Sequence, residues 1–311
     1  MEYRRLGKTG LMISAVGLGG HWKGLGAALG RPFEGSGYDE ADFENIRAPD
    51  FIANRHAVVS RAIELGVNYV DACSPPEVLA YSKTLEGRRE AMCLGYSWHT
   101  REPRFPEWRS AGRLVEGLEE GLAEAKLEAI DLWRISLPAD GIEDAGERRR
   151  IEDATVGALA LAKRQGKARF TGVSSHDGAW LRMMMAKYPE QIEVVLFPEP
   201  VGQASGLSSF FETAQAHDTG LLGIKPFGGG ALFRGDGCDG RRARLAIRSI
   251  LGNAALAATL PGCASVEQVT NAVAAVREPR ALDPQEQAEL ERSVAAMRAR
   301  VPAWLGNWMC R

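Results

Sequence analysis

Long apolar runs are missing from this chain of 311 residues. No stretch reaches the roughly 20 apolar residues that span a bilayer, so no membrane partner is expected. The start, Met1-Glu2-Tyr3-Arg4-Arg5, has no apolar signal core, and a cytoplasmic location is the corresponding expectation. An excess of one charge is also missing: 38 Lys and Arg stand against 40 Asp and Glu, a net charge of -2, which gives no general attraction to nucleic acid. The basic run Arg148-Arg149-Arg150 is flanked by acidic residues and reads as a solvated helix face. The five cysteines (Cys73, Cys93, Cys238, Cys263 and Cys310) form no CxxC pair and no metal-ligand spacing. That excludes a disulfide framework and leaves no metal site expected. No linker or break in composition divides residues 1–311, so one domain is expected.

What is present is alternation. Eight short β-rich runs recur at Ala15–Gly19, Asn68–Cys73, Ala91–Tyr96, Ile130–Ser136, Ala168–Ser174, Glu193–Phe197, Leu221–Lys225 and Ala257–Leu260. Segments of helical periodicity separate them, as in His56–Leu65 before Gly66 and in the Leu114, Leu118, Leu122 stripe. Eight βα units predict an α/β fold, a single (β/α)8 TIM barrel. An N-terminal β-hairpin and an extra C-terminal helix opened by Asp283-Pro284-Gln285-Glu286 complete it. Ser265-Val266-Glu267-Gln268 reads as a capping box. The stretch from Gly24 to Asp50 is too long for a βα turn and is expected to cover the barrel mouth or project from it.

Barrels of this kind act with side chains at the carboxyl ends of their strands. The rule nominates His21 and Trp22, Asp71 and Cys73, Tyr96, Ser97 and Trp98, and Arg134 and Ser136. Further round the barrel it nominates Ser174, Ser175 and His176, then Glu199, Lys225, Gly262 and Ser265. Cys73 stands beside a carboxylate, which raises a thiol pKa, and reads as a small buried residue. Tyr81 lies on the next helix and is expected to face the core.

Six segments, taken in order, resemble the aldo-keto reductases: EYRRLGKTGLMISAVGLGG (2–20), GVNYVD (66–71), IDLWRISLP (130–138), GVSS (172–175), IKPFGGG (224–230) and LPG (260–262). The resemblance implies NADP(H)-linked reduction of carbonyl or sugar-type small molecules, with an aspartate, a tyrosine, a lysine and a histidine at the mouth. Carried over by position, the aspartate is Asp71. The tyrosine position falls in Ser74-Pro75-Pro76-Glu77, the lysine position on Ser97 and the histidine position on Ser136. The resemblance therefore implies a divergent active site. The cofactor set it suggests is Gly20, Ser174, Ser175, Lys225, Gly228, Gly229, Gly262, Ser265 and Gln268. Ser175 stands for the usual asparagine, Leu196 for a glutamine, and Asn271-Ala272 for a Glu-Asn pair.

Asp71, His176 and Lys225 are the catalytic candidates. Asp71 serves as base or charge partner, His176 as a group titrating near neutrality, and Lys225 as a phosphate ligand or the partner of Asp71. His21, Trp22, Trp98 and Glu199 are the substrate-side candidates, with packing of the 24–50 stretch the alternative role of Trp22. Two other functions remain open: a barrel lyase or isomerase using Asp71, His176, Glu199 and Lys225, and a non-catalytic barrel binding a metabolite or a partner. A homo-oligomer is compatible with either, and the Trp-rich tail from Trp304 reads as a docking or dimer-contact segment.

Overall fold

The computed structural model describes residues 1–22, 24–33, 40–138, 142–202, 207–302, 305 and 308. Strands β1 (Tyr3–Arg5) and β2 (Met12–Ser14) pair antiparallel as the expected hairpin. Seven strands then form one parallel sheet in sequence order: β3 (Tyr69–Ala72), β4 (Cys93–Tyr96), β5 (Ile130–Ser136), β6 (Ala168–Ser174), β7 (Val194–Pro198), β8 (Gly220–Ile224) and β9 (Ala258–Leu260). The first expected barrel strand forms only isolated bridges, Val16 to Thr259 and Leu18 to Val70. Its backbone nevertheless bonds to both edges: Gly17 N–H donates to Thr259 O, and Leu18 N–H donates to Tyr69 O. Residues 15–19 thus stand as the eighth stave, and the sheet closes into the expected TIM barrel.

The helices follow the sequence signals. α1 (Leu25–Leu29) and α2 (Glu40–Asn45) lie in the long stretch before α3 (Pro49–Glu64), which starts earlier than periodicity alone predicts because Pro49 occupies its first turn. α4 (Pro75–Thr84), α5 (Ala111–Glu124), α6 (Ala145–Arg164), α7 (Gly178–Lys187), α8 (Ser208–Ala216), α9 (Asp239–Leu251) and α10 (Val266–Arg277) follow successive strands, and α11 (Pro284–Arg298) is the extra helix. Gly66 and Gly166 take φ of 87° and 70° just past α3 and α6, the left-handed conformation that ends a helix cheaply only at glycine. The Asp283 capping box forms with Glu286. At Ser265 only half of one forms: its hydroxyl accepts from Gln268 N–H, while the Gln268 side chain accepts from Ala264 N–H. Among the described residues no helix is long and apolar enough to cross a membrane.

Two apolar layers result. One lies between strands and helices. The other fills the barrel: Leu6 and Ile13 of the hairpin floor it, and Tyr69, Leu132, Val194, Leu196, Leu222, Ala258 and Leu260 pack above. Strand alternation sends every second residue inward. On β3 the inward pair is Tyr69 and Asp71. On β5, Leu132 is followed inward by Arg134 and Ser136. Gly95 of β4 must be glycine because a Cβ there would stand 1.9 Å from the Tyr69 hydroxyl oxygen.

At the opposite end of the barrel, Asp131 ties β4 to β5. Its carboxylate accepts from Leu94 N–H at 2.9 Å, Arg89 at 2.7 Å and Arg169 at 2.6 Å. Burial works to raise its pKa, but these donors more than reverse that and hold it below the ordinary value. The carboxylate therefore stabilises the fold above its unfolded-state pKa, and that contribution fades as pH falls through its lower folded value. We expect Asp131→Asn to lose about 1–3 kcal/mol in urea unfolding near neutral pH. The gap to wild type should narrow as pH is lowered below about 4; a gap independent of pH would show that the charge is not what stabilises.

Candidate functional site

The polar layer directly above Tyr69 and Leu132 is built on one ion pair. Asp71 and Arg134, both buried, meet side on: Nε donates to Oδ1 at 3.0 Å and Nη2 to Oδ2 at 2.7 Å. Nη1 donates to Ser97 Oγ at 2.8 Å, and Nη2 reaches the Ala72 carbonyl at 3.3 Å. Burial opposes the Arg134 charge, yet the Asp71 carboxylate and its hydrogen bonds raise the guanidinium above its ordinary pKa. The position matched to the family lysine, Ser97, is thus an acceptor for an arginine from the next strand. The expected pairing of Asp71 with Lys225 is not made; both Asp71 oxygens are taken by Arg134. Arginine does not give up a proton at neutral pH, so the pair is a fixed charge pair rather than a proton-exchanging one.

A second carboxylate organises the loops after residues 15–19 and β3. Glu77 on α4 closes a capping box with Ser74, which explains why the chain after Asp71 turns at once into helix. Its Oε2 accepts from Cys73 N–H at 3.0 Å and Ser74 N–H at 3.2 Å, while Oε1 takes His21 N–H and His21 Nδ1. Burial would raise its pKa, but His21 and the backbone donors bring it down to about 2. Because an ionised carboxylate only accepts, the proton in the His21–Glu77 bond sits on Nδ1. His21 itself takes φ of 53°, a left-handed conformation costly outside glycine. Gly20 lacks room for any side chain, since a Cβ would lie 2.3 Å from the Glu77 carboxyl carbon.

A third buried carboxylate, Glu102, reaches the end of β5, where Oε1 accepts from Ser136 N–H at 3.0 Å. Its other oxygen makes no hydrogen bond, and Arg104 Nη2 lies 3.7 Å away. Burial holds this carboxyl above its ordinary pKa. Ser136 Oγ in turn accepts from Ser174 Oγ at 3.0 Å.

Several expected positions serve the fold instead. Trp98 is not at the mouth: alternation turns it outward, where a Cβ on Gly121 of α5 would come within 2.2 Å of its ring. Glu199 is buried rather than presented to substrate, its Cβ packed over Gly223 on the outward side of β8. Trp22 donates to the Tyr81 hydroxyl at 3.1 Å, meets Phe51 edge-on and carries the Arg55 guanidinium 4.8 Å from its ring centre. It takes the packing role beside the 24–50 stretch, of which 34–39 lie outside the described residues. Tyr81 is in the core and its hydroxyl donates to Gly19 O. Ser175 Oγ bonds Leu137 O and Asp177 N–H, and Gly228 and Gly262 are tight against Met297 and Gly20. Asn271 joins α9 to α10 through Gly240 O and Arg244.

His176 does not titrate near neutrality. Burial, reinforced by Lys225 and Arg104, lowers it to about 3, so the imidazole is neutral at pH 7. Its carbonyl accepts from Trp308 Nε1 at 2.9 Å, and Trp308 also packs on Phe197 and Phe210. That part of the tail docks on its own barrel; the remaining tail residues from 303 onward, Leu305 apart, lie outside the described residues. Lys225, the residue after β8, takes φ of 59°.

No family model matches the chain. Solved structures do match it. An aldo-keto reductase from Bacillus halodurans in its holo form superposes with a TM-score of 0.68 at 21% identity, covering 94% of this chain and 96% of that one. The apo form of the same enzyme gives 0.63 at 20% identity over the same shares. At these identities the likeness is one of fold, and over 94% of its length the chain matches the aldo-keto reductase fold. In sequence it is 26% identical over 309 aligned positions, 89% of each chain, to L-galactose dehydrogenase of Arabidopsis thaliana.

Two outcomes test the site. Arg134→Met should cost about 3–5 kcal/mol by stranding the Asp71 charge, and adding Asp71→Asn should recover part of that. A loss below about 1 kcal/mol would mean that the pair is hydrated. For His176, the carbon-bound ring protons should keep neutral-imidazole NMR shifts from about pH 8 to pH 5; a midpoint near the unperturbed value of about 6.5 would contradict the burial described.

Proposed function

We propose that this chain is a nicotinamide-linked oxidoreductase acting on a hydroxyl or carbonyl of a sugar-type small molecule, with its active site at the mouth above Asp71 and Arg134. The observation that carries this reading is the likeness, along 89% of each chain, to an L-galactose dehydrogenase, coupled to a desolvated ion pair in the layer facing the mouth. NADP(H) is the cofactor the reading takes, and it supplies or accepts the hydride.

The residues fit a dinucleotide in part. Ser174, Lys225, Gly229 and the amino end of α10 at Ser265 would hold it, the helix end favouring phosphate. Gly20, Gly228, Gly262, Ser175 and Gln268 act by close packing and internal hydrogen bonds that shape those loops. Arg134 fixes Asp71 and Ser97 and turns a buried charge pair toward the substrate end of the barrel. In the low dielectric of the mouth such a pair acts strongly on a polarised carbon–oxygen bond. The divergence lies in the proton donor: among the described residues, Tyr81 is committed to Gly19 O, and Tyr69 and Tyr96 are closed into the interior.

The reading is tested by titrating the purified chain with NADPH and NADP, followed by tryptophan fluorescence, and by assaying L-galactose with NAD and NADP. Saturable binding with turnover is expected. Arg134→Lys should bind the dinucleotide comparably while turnover falls about 10²-fold or more, the range for loss of one electrostatic contributor. No dinucleotide binding at millimolar concentration would overturn the reading.

A further inference from the structure

We propose that His21, Cys73 and Glu77 form a binding site for one zinc-class divalent cation at the barrel mouth, where the family places its tyrosine. One imidazole nitrogen, one sulfur and one carboxylate oxygen from these residues lie within 4.8 Å of one another. Zinc bonds of about 2.0–2.3 Å set tetrahedral ligand atoms about 3.3–3.7 Å apart, so closing on an ion needs movements of an ångström or less. Three protein ligands with the fourth position open is the composition of catalytic zinc sites. Thiolate together with imidazole selects a zinc-class ion over magnesium or calcium.

The surroundings are those of a held site. Glu77 is buried, and its carboxylate is fixed by the N–H groups of His21, Cys73 and Ser74. His21 is kept in a left-handed conformation against that carboxylate, and Gly20 beside it admits no Cβ. Such outer contacts orient metal ligands. The charges also balance: Asp71 already neutralises Arg134, and a thiolate with a carboxylate neutralises a dication. Binding takes the thiol proton from Cys73, releases it to solvent and forms a metal–sulfur bond, with no change of oxidation state. The imidazole binds neutral through Nδ1, which gives up its hydrogen bond to Glu77 while the ring proton is carried on Nε2. Without the ion, burial and Glu77 hold the Cys73 thiol well above its ordinary pKa, so thiolate and metal arrive together.

Binding stands independently of the oxidoreductase reading. The ion's use as the group that polarises the substrate oxygen, in place of the missing tyrosine, rests on that reading. The test is made without nicotinamide. The full chain is stripped with chelator and titrated with cobalt(II). We expect a stoichiometric thiolate-to-cobalt charge-transfer band in the near ultraviolet, tetrahedral visible bands, and displacement of both by zinc. Cys73→Ser should abolish the charge-transfer band with circular dichroism unchanged. His21→Asn, which leaves the thiol in place, should weaken cobalt binding at least about tenfold. No cobalt band, or a band that survives in Cys73→Ser or has unchanged affinity in His21→Asn, overturns the proposal. Loss of NADPH binding with an intact cobalt site would instead count against the oxidoreductase reading alone.

Discussion

The pairing of Asp71 with Arg134 is the constraint around which the mouth of this barrel is arranged. An arginine inside a barrel is tolerable only if its N–H groups find acceptors, and here four hydrogen bonds go to Asp71, Ser97 and Ala72 O. Satisfying them draws together the ends of three adjacent strands. Below that layer the interior is apolar and floored by the hairpin, with Tyr69 filling the space that Gly95 vacates. Above it, the loops are set by carboxylates: Glu77 clamps the segments at Gly20–His21 and Cys73–Ser74, and Glu102 clamps the end of β5.

The same constraint bears on chemistry. A lysine beside an aspartate can share and shift protons; an arginine in that place cannot, because its charge is permanent. The mouth therefore keeps a fixed electrostatic field, and on the function proposed above proton transfer or oxygen polarisation comes from another group. His21, Cys73 and Glu77, whose ligand atoms lie within 4.8 Å of one another, carry the ligand chemistry on which the proposed ion site rests.

The fold was legible because barrels write themselves in repeated units. Seven of eight expected strands formed within two residues of their predicted ends, Gly66 and Gly166 ended the helices that periodicity drew, and Asp283 opened the extra helix. The stave at residues 15–19 lost its strand character because it touches its neighbours only at bridges. The candidate site was legible only in part: Asp71 is named by position, and the structure places it in the buried pair with Arg134. Arg134 is among the strand-end residues, but the position matched to the lysine is Ser97, one strand short of the cation. Trp98 and Glu199 are expected at the mouth because they follow strand ends, but each stands one residue out of the inward register and alternation turns it outward. Glu77 and Glu102 are not among the sequence candidates, since only folding brings residue 21 to residue 77 and residue 102 to residue 136.

The claim that joins these features is that the mouth over Asp71 and Arg134 is where a nicotinamide works. The most direct measurement is the crystal structure of the chain grown with saturating NADP. The account predicts a dinucleotide lying between Lys225, Gly229 and the Ser265 helix end, its nicotinamide over the Asp71–Arg134 layer. Clear density with the mouth free of dinucleotide, or with the nicotinamide held elsewhere on the barrel, would contradict it.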